Sequence, residues 1–406
     1  MFSERTNWKL GRNRLTQAVE EARAAGTGIL DLTASNPTRV GLEYDSRAIL
    51  EALSAEPALK YDPQPKGLPE ARQAVAAYYR EGHAIRDLDA ERIALTTSTS
   101  EGYSFVFRLL CNAGDELLVP KPSYPLFEFL ADLQDVKLVP YPLIYDHGWQ
   151  MDFPSLEQAV TERTRGIVVV HPNNPTGSYV KPGELEQLKS FCREGELALI
   201  VDEVFLDYEL DDNNRRASLA RTTEGDRPGR RQMSFAGNDD LLTFTLSGLS
   251  KISALPQMKV AWVVTSGPEE QVAAALGRLE VIADTYLSMN APMQLAMPVL
   301  LEQRKKIQPQ LMERVGANLA KLDRQLARQK GCQRLKVEGG WYGVLRVPVT
   351  GSDEELAIAL VQEKAVLVHP GHFYDFPSDG YLVLSLITPT EEFGDGIVRV
   401  LQHLNS

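Results

Sequence analysis

A chain of 406 residues, 43% hydrophobic and 24% charged, has the make-up of a soluble globular protein and is longer than one ordinary core accommodates, so two closely associated domains are expected. Its formal net charge of −12 argues against nucleic acid and anionic membranes as partners, and no apolar run reaches transmembrane length. The opening MFSERTNWKLGRNRL lacks the apolar core of a secretory signal, and Cys111, Cys192 and Cys332 are an odd, scattered set, read as reduced thiols of a cytoplasmic protein rather than a disulfide framework or zinc site.

In chain order, RLTQAVEEARAA (14–25) predicts a helix, followed by a glycine turn and a strand over ILDLTA. PEARQAVAAYYR (69–80) predicts a second helix with proline in its first turn. Then strands and helices alternate. RIALTT, DELLVP, VKLVPYPL, GIVVVHP and LALIVDEVF read as strands; SEGYSFVFRLLCNAG, YPLFEFLADLQ, SLEQAVTERT and PGELEQLKSFCREG read as the helices between them. Such alternation implies a largely parallel sheet covered on both faces, an α/β fold. The polar stretch 209–240 reads as a long excursion, because strand-like LLTFTLS resumes after it. Beyond about residue 290 helices dominate, followed by short strands YGVLRVP, AVLVHP and YLVLSLI and a last helix. We therefore expect a large domain over 46–288, a smaller α+β domain over 289–406, and an N-terminal segment, 1–45, packing with the smaller one.

Ligands of open α/β sheets bind outside the carboxyl ends of the strands. Four segments put polar residues there: TTSTSE (96–101), HPNNPTG (171–177), VDEVF (201–205) and TLSGLSK (245–251). Ser98, Thr99 and Ser100 offer hydroxyls and free amides at a helix start, which is an anion site or ordinary N-capping. Asp202 ends a very apolar strand and needs a partner: a cationic ring nitrogen, a metal, an arginine, or a turn to cap. Asn174 lies in turn chemistry, yet its amide could donate to a ligand oxygen. A lone lysine is usually a surface residue, but Lys251, just beyond a buried strand, could lose its proton and become a nucleophile. The Walker, G-x-S-x-G and G-x-G-x-x-G patterns are absent, and the two histidines of HPGH (369–372) have no evident third ligand, so no metal is expected.

Taken together, YDPQPKGLPEARQAV, TSTSE, PSYP, PNNPTG, VDEVF and GLSK, in this order over nearly the whole chain, resemble the class I/II aminotransferases of pyridoxal phosphate fold type I, the aspartate aminotransferase superfamily. The resemblance implies pyridoxal 5′-phosphate as cofactor and ping-pong transfer from a small amino donor to a keto acceptor. It implies that Lys251 bonds to the cofactor's aldehyde and then moves the proton at the substrate Cα. By the same resemblance Asp202 pairs with the ring nitrogen, Asn174 bonds the ring's phenolic oxygen and Tyr124 stacks on the ring. Ser98, Thr99, Ser100, Ser250 and Lys259 would hold the phosphate. Tyr61 would reach the neighbouring subunit's site, which implies a homodimer.

Three positions depart from the family pattern. Lys259 stands where arginine is usual and keeps the charge without the bidentate fork. Phe205 replaces a tyrosine whose phenol reaches the ring oxygen. Val383, in GYLVLSL, replaces the arginine that clamps the substrate carboxylate. Within the N-terminal SNPTRV, Ser35, Asn36 and Arg39 are then substrate candidates, Arg39 by location only. The departures leave other reactions on the same scaffold open, such as a lyase, decarboxylase or racemase, and a cofactor-retaining sensor is a third reading.

Overall fold

Local chemistry starts the chain's first helices. The computed structural model describes residues 1–8, 10–210 and 234–405. Helix α1 (Arg14–Ala24) begins where the Asn13 side chain accepts the Thr16 N–H at 2.6 Å. Strand β1 (Leu30–Asp31) is only two residues long, because the Asp31 carboxylate accepts both the N–H and the hydroxyl of Thr33 and turns the chain. Helix α2 (Ser46–Leu53) precedes α3 (Pro69–His83), which has the expected proline at its first turn.

The alternation follows as β2 (Ile93–Thr96), α4 (Thr99–Leu110), β3 (Glu116–Lys121), α5 (Phe127–Asp132), β4 (Lys137–Tyr145), β5 (Trp149–Met151), α6 (Phe153–Ala159), β6 (Thr164–Val170), α7 (Pro182–Glu194) and β7 (Ala198–Asp202). Next come β8 (Thr243–Gly248), the one-turn helix α8 (Leu249–Ile252) and β9 (Ala261–Ser266). The eight strands form one sheet in the order β2-β9-β8-β7-β6-β3-β4-β5. The run β8-β7-β6-β3-β4 is parallel, β9 is antiparallel to both of its neighbours, and β5 is antiparallel at the edge. Ile167 and Val169 of β6 enter one buried cluster and Val168 and Val170 another, so the sheet is covered on both faces.

After α9 (Glu269–Thr285), α10 (Ala291–Glu302) and α11 (Arg304–Leu326), the chain builds a small antiparallel sheet, β10-β11-β14-β13. Its members are β10 (Gln333–Arg334), β11 (Tyr342–Arg346), β13 (His369–Pro370) and β14 (Tyr381–Ser385). Helix α12 (Asp353–Lys364) and strand β12 (Val366–Leu367) stand between β11 and β13, and α13 (Thr390–Leu404) ends the chain. Strand β1 pairs with β12 in parallel, and Ser385 donates its N–H to Leu32 and its hydroxyl to the Ala34 carbonyl, so the N-terminal segment is stitched to the C-terminal part.

Several boundaries differ from the sequence reading. LALIVDEVF stops being a strand at Asp202, because the Val204 N–H folds back onto the Asp202 carboxylate at 3.0 Å. AVLVHP splits into β12 and β13, which pair with different strands. Neither β9 nor α9 was anticipated. Of the polar stretch 209–240, residues 211–233 lie outside the described residues.

Candidate active site

Parallel β2, β3, β6, β7 and β8 all end at one edge of the large sheet. Antiparallel β9 begins there, since Ala261 is paired with both Thr96 and Gly248. Following the strand order along that edge gives Ser98, then Lys259, Lys251, Asp202, Asn174 and finally Tyr124. Neighbouring strands are about 4.8 Å apart. Residues drawn from six connections therefore line one end of the sheet side by side.

Ser98 does cap α4, accepting the Glu101 N–H at 3.2 Å, while Glu101 accepts the Thr97 N–H at 2.6 Å. Capping by Ser98 leaves the amides of Thr99 and Ser100, in the helix's first turn, free for an anion. Lys259 lies across the same corner with φ 53°, in the left-handed region that turns the chain from a 3-10 helix into β9, and its ammonium side chain is exposed. Ser250 is half-buried in α8, next to Lys251.

Turn PNNPTG separates the roles of its two asparagines. Asn173 builds the turn, its side-chain oxygen accepting the Thr176 hydroxyl at 2.9 Å and its carbonyl the Gly177 N–H at 2.7 Å. Gly177 is required there: its φ is 69°, and an added Cβ would lie 2.5 Å from the Gly339 carbonyl oxygen. Asn174 is thereby spared for the site, and its Oδ1 is buried without a hydrogen-bond partner among the described residues. Turning the amide over would leave a donor in the same place, so a polar partner is called for in either orientation.

Asp202 is buried, and among the described residues its carboxylate accepts only neutral donors, the Val204 N–H and the Tyr103 hydroxyl at 3.1 Å. Burial pushes its pKa up to about 6, against the pull of those two donors and of Lys251. Burial likewise lowers the Lys251 amine to about 8, with Asp202 opposing. The amine lies over two aromatic faces, 4.9 Å from the centre of Trp341 and 5.5 Å from that of Phe205. Gly248 opens the way into α8, because a Cβ there would meet the Ala261 Cβ at 2.9 Å.

Three side chains hold the backbone of that turn. Tyr208 donates its hydroxyl to the Lys251 carbonyl at 2.6 Å, Gln308 donates to that of Ile252 at 3.0 Å, and Tyr44 to that of Ala254 at 2.8 Å. Tyr44, Tyr103, Tyr208, Gln308 and Trp341 escaped the sequence reading. Only Trp341, a bulky ring after two glycines in EGGWYG, stands in a conspicuous context.

Tyr124 is 44% exposed, yet desolvation holds its phenol above its ordinary value and the Asp202 charge adds to this, which places it near that carboxylate. Phe205 is buried beside Trp341 and Tyr342. Val383 is fully buried in the middle of β14. The remaining predicted residues are exposed in the single chain. Tyr61 is 80% exposed; Ser35, Asn36 and Arg39 lie on the surface, where Asn36 caps a 3-10 turn through Thr38.

A half-buried amine, a buried carboxylate, a buried amide and a helix start suit one kind of ligand. The family model for aminotransferase class I and II matches residues 7–391. The chain belongs to that family. Like its other members, this aminotransferase, a transferase of nitrogenous groups, depends on pyridoxal phosphate. It is 27% identical over 398 residues to the alanine aminotransferase of Mycobacterium tuberculosis (strain ATCC 25618 / H37Rv), covering 96% of this chain and 88% of that protein. To the glutamate-pyruvate aminotransferase AlaA of Escherichia coli (strain K12) it is 29% identical, over 71% of this chain and 67% of that protein. The solved structure of an alanine aminotransferase from Pyrococcus furiosus superposes with a TM-score of 0.86 at 21% identity, over the full length of both chains. The site's donor set suits pyridoxal phosphate: a half-buried lysine amine for the aldehyde, Asp202 for the ring nitrogen, Asn174 for the ring oxygen and the α4 start with Lys259 for the phosphate.

Proposed function

We propose the following division of labour for the aminotransferase. When bound, pyridoxal phosphate supplies a sink for the electrons released at the substrate's Cα. Lys251 holds the cofactor through its aldehyde and afterwards carries the proton removed at Cα. It suits both tasks because burial has already brought its amine towards the neutral form. Asp202 keeps a proton on the ring nitrogen; the cation opposite would in turn draw the carboxyl down from about 6. Asn174 orients the ring through its oxygen. Tyr124 stacks on the ring, and Phe205 provides an apolar wall where the family has a phenol. Thr99, Ser100, Ser98, Ser250 and Lys259 hold the phosphate, and Tyr61 reaches it from a neighbouring copy in a homodimer. Residues 46–288 form the cofactor-binding domain and 289–406 the smaller one, with 1–45 packed on it. No helix among the described residues is long and apolar enough to cross a membrane, which accords with a cytoplasmic enzyme.

The observation carrying this reading is the order of residues along the sheet edge, with half-buried Lys251 next to Asp202 in that row and its amine over the Phe205 and Trp341 rings. The relatives named for alanine and glutamate-pyruvate transfer make α-amino acids the first donors to try. The test is spectroscopic. Purified protein should carry the absorbance of lysine-bound cofactor, and Lys251→Ala should lack it. A panel of amino acids and amines should convert that band to the one of aminated cofactor, and a keto acid should restore it. Release of ammonia or carbon dioxide without that conversion would overturn the transfer reading.

A further inference from the structure

At Val383 the family pattern expects a guanidinium for the substrate carboxylate, and the structure has a side chain of 0% exposure. The register of the small sheet says what stands beside it. Val383 lies opposite Val344 on β11 and opposite His369 on β13. Directly opposed residues of antiparallel strands project from the same face. Tyr342, two residues before Val344, projects there too. The Tyr342 ring is 6.3 Å from that of Phe205, over which the Lys251 amine sits. The face carrying Val383 and His369 therefore also carries a ring, that of Tyr342, which packs on Phe205 at the border of the Lys251 site.

The polar groups on that face are already organised. His369 Nδ1 is 3.0 Å from the Tyr374 hydroxyl, and the Tyr374 ring is 6.5 Å from Tyr342. The Tyr374 carbonyl accepts the N–H of Ser123, the residue before Tyr124. One imidazole nitrogen is thus fixed to a buried phenol that is itself tied to the loop bearing Tyr124. The other, Nε2, has no hydrogen-bond partner among the described residues.

We propose that His369, oriented by Tyr374, binds the carboxylate of the amino donor in place of the missing arginine, so that this enzyme takes α-amino acids through an imidazole–phenol pair. The proposal rests on the aminotransferase reading and deepens it. The charges around the imidazole suit the task. Burial holds its pKa below the ordinary value, and Asp31 on β1 opposes this. Phe373 is its ring neighbour, and Asp353 at the start of α12 is occupied by the N–H groups of Gly380 and Tyr381. An arriving carboxylate adds negative charge and favours the imidazolium, whose charge-assisted bond is the stronger one.

The test compares the best amino acid of the donor panel with the amine it becomes on losing its carboxylate, using holoenzyme. His369→Ala should raise KM for the amino acid roughly ten- to a hundredfold, the loss of one charged hydrogen bond, and leave KM for the amine within about twofold. Tyr374→Phe should move the same way by less. Calorimetry in two buffers of different ionisation enthalpy should show proton uptake when wild type binds 4-methylpentanoate near neutral pH, and none for His369→Gln. Equal effects on amino acid and amine, or a selective loss in Arg39→Ala instead, would overturn the proposal. So would a wild type that converts amines but no amino acid. An enzyme that releases ammonia without converting its band refutes the underlying reading and is told apart by that product.

Discussion

Lys251 and Asp202 meet in a site where burial works against both charges, so each is held towards its neutral form. For Asp202 this has a sign that can be checked. A carboxyl raised from its ordinary value to about 6 binds its proton more tightly folded than unfolded. Its contribution to stability is therefore fully present below the unfolded pKa and is lost as pH rises through about 6. The loss amounts to at most about 3 kcal/mol, at 1.36 kcal/mol per unit. Asp202→Asn keeps an acceptor for Tyr103 and Val204 but has no charge to bury. We expect the cofactor-free variant to match wild type near pH 4 and to gain Tm relative to it between pH 5 and 8, while binding pyridoxal phosphate more weakly. A Tm difference that does not grow with pH would show that Asp202 is paired in the free protein. Asp202 was legible in the sequence because a carboxylate after LALIV must find a partner, although the sequence alone does not separate a ligand from the turn it also caps. His369 was not, since its relation to Val383 exists only in the register of two strands separated by a loop.

At the scale of elements, α8 is too short to satisfy its own carbonyls, as the last four of any helix lack partners within it. The fold supplies donors from Tyr208 after β7 and Gln308 in α11, and Tyr44 before α2 holds the carbonyl of Ala254 just beyond the helix. Gln308 is the most committed, because its amide also donates to Asp207 Oδ2 at 2.6 Å, in a buried cluster where Asp207 Oδ1 lies 3.0 Å from His83 Nε2. Tyr208→Phe removes one neutral hydrogen bond and should cost about 1 kcal/mol. Gln308→Ala withdraws a donor from a buried carboxylate as well and should cost more, about 2–3 kcal/mol. Thermal unfolding of the two variants checks that order. These braces were invisible in the sequence because nothing in a tyrosine or glutamine announces a carbonyl 43, 56 or 210 residues away. Strand β9 escaped for a related reason. VAWVVT is as apolar as its neighbours, but it follows α8 and a 3-10 turn without the long helix that marks a parallel crossover. The parallel strands, by contrast, were legible as apolar runs bounded by helices, and they position most of the site.

Across the whole molecule, sheet topology collects residues from 98 to 259 into one row, and the small sheet sets Tyr342 against Phe205, with His369 on the same face of that sheet. Tyr61 remains outside this assembly. It is 80% exposed, near the similarly exposed Leu59 and Leu50 on the chain leading to α3, although large exposed apolar side chains ordinarily mark an interaction surface when they gather. A tyrosine so placed serves its own site poorly and a neighbour's well, and the two cases can be separated by mixing variants. Lys251→Ala should be inactive alone, and Tyr61→Ala should be strongly impaired in cofactor affinity. If Tyr61 crosses to the partner, a mixed dimer of the two has one site with both wild-type residues and one with neither. Co-expressed and separately tagged, such dimers should recover about half of the wild-type activity and one tightly held cofactor per dimer. If Tyr61 serves its own chain, every site in the mixture lacks either the lysine or the tyrosine, and neither activity nor cofactor affinity rises above that of the Tyr61→Ala parent.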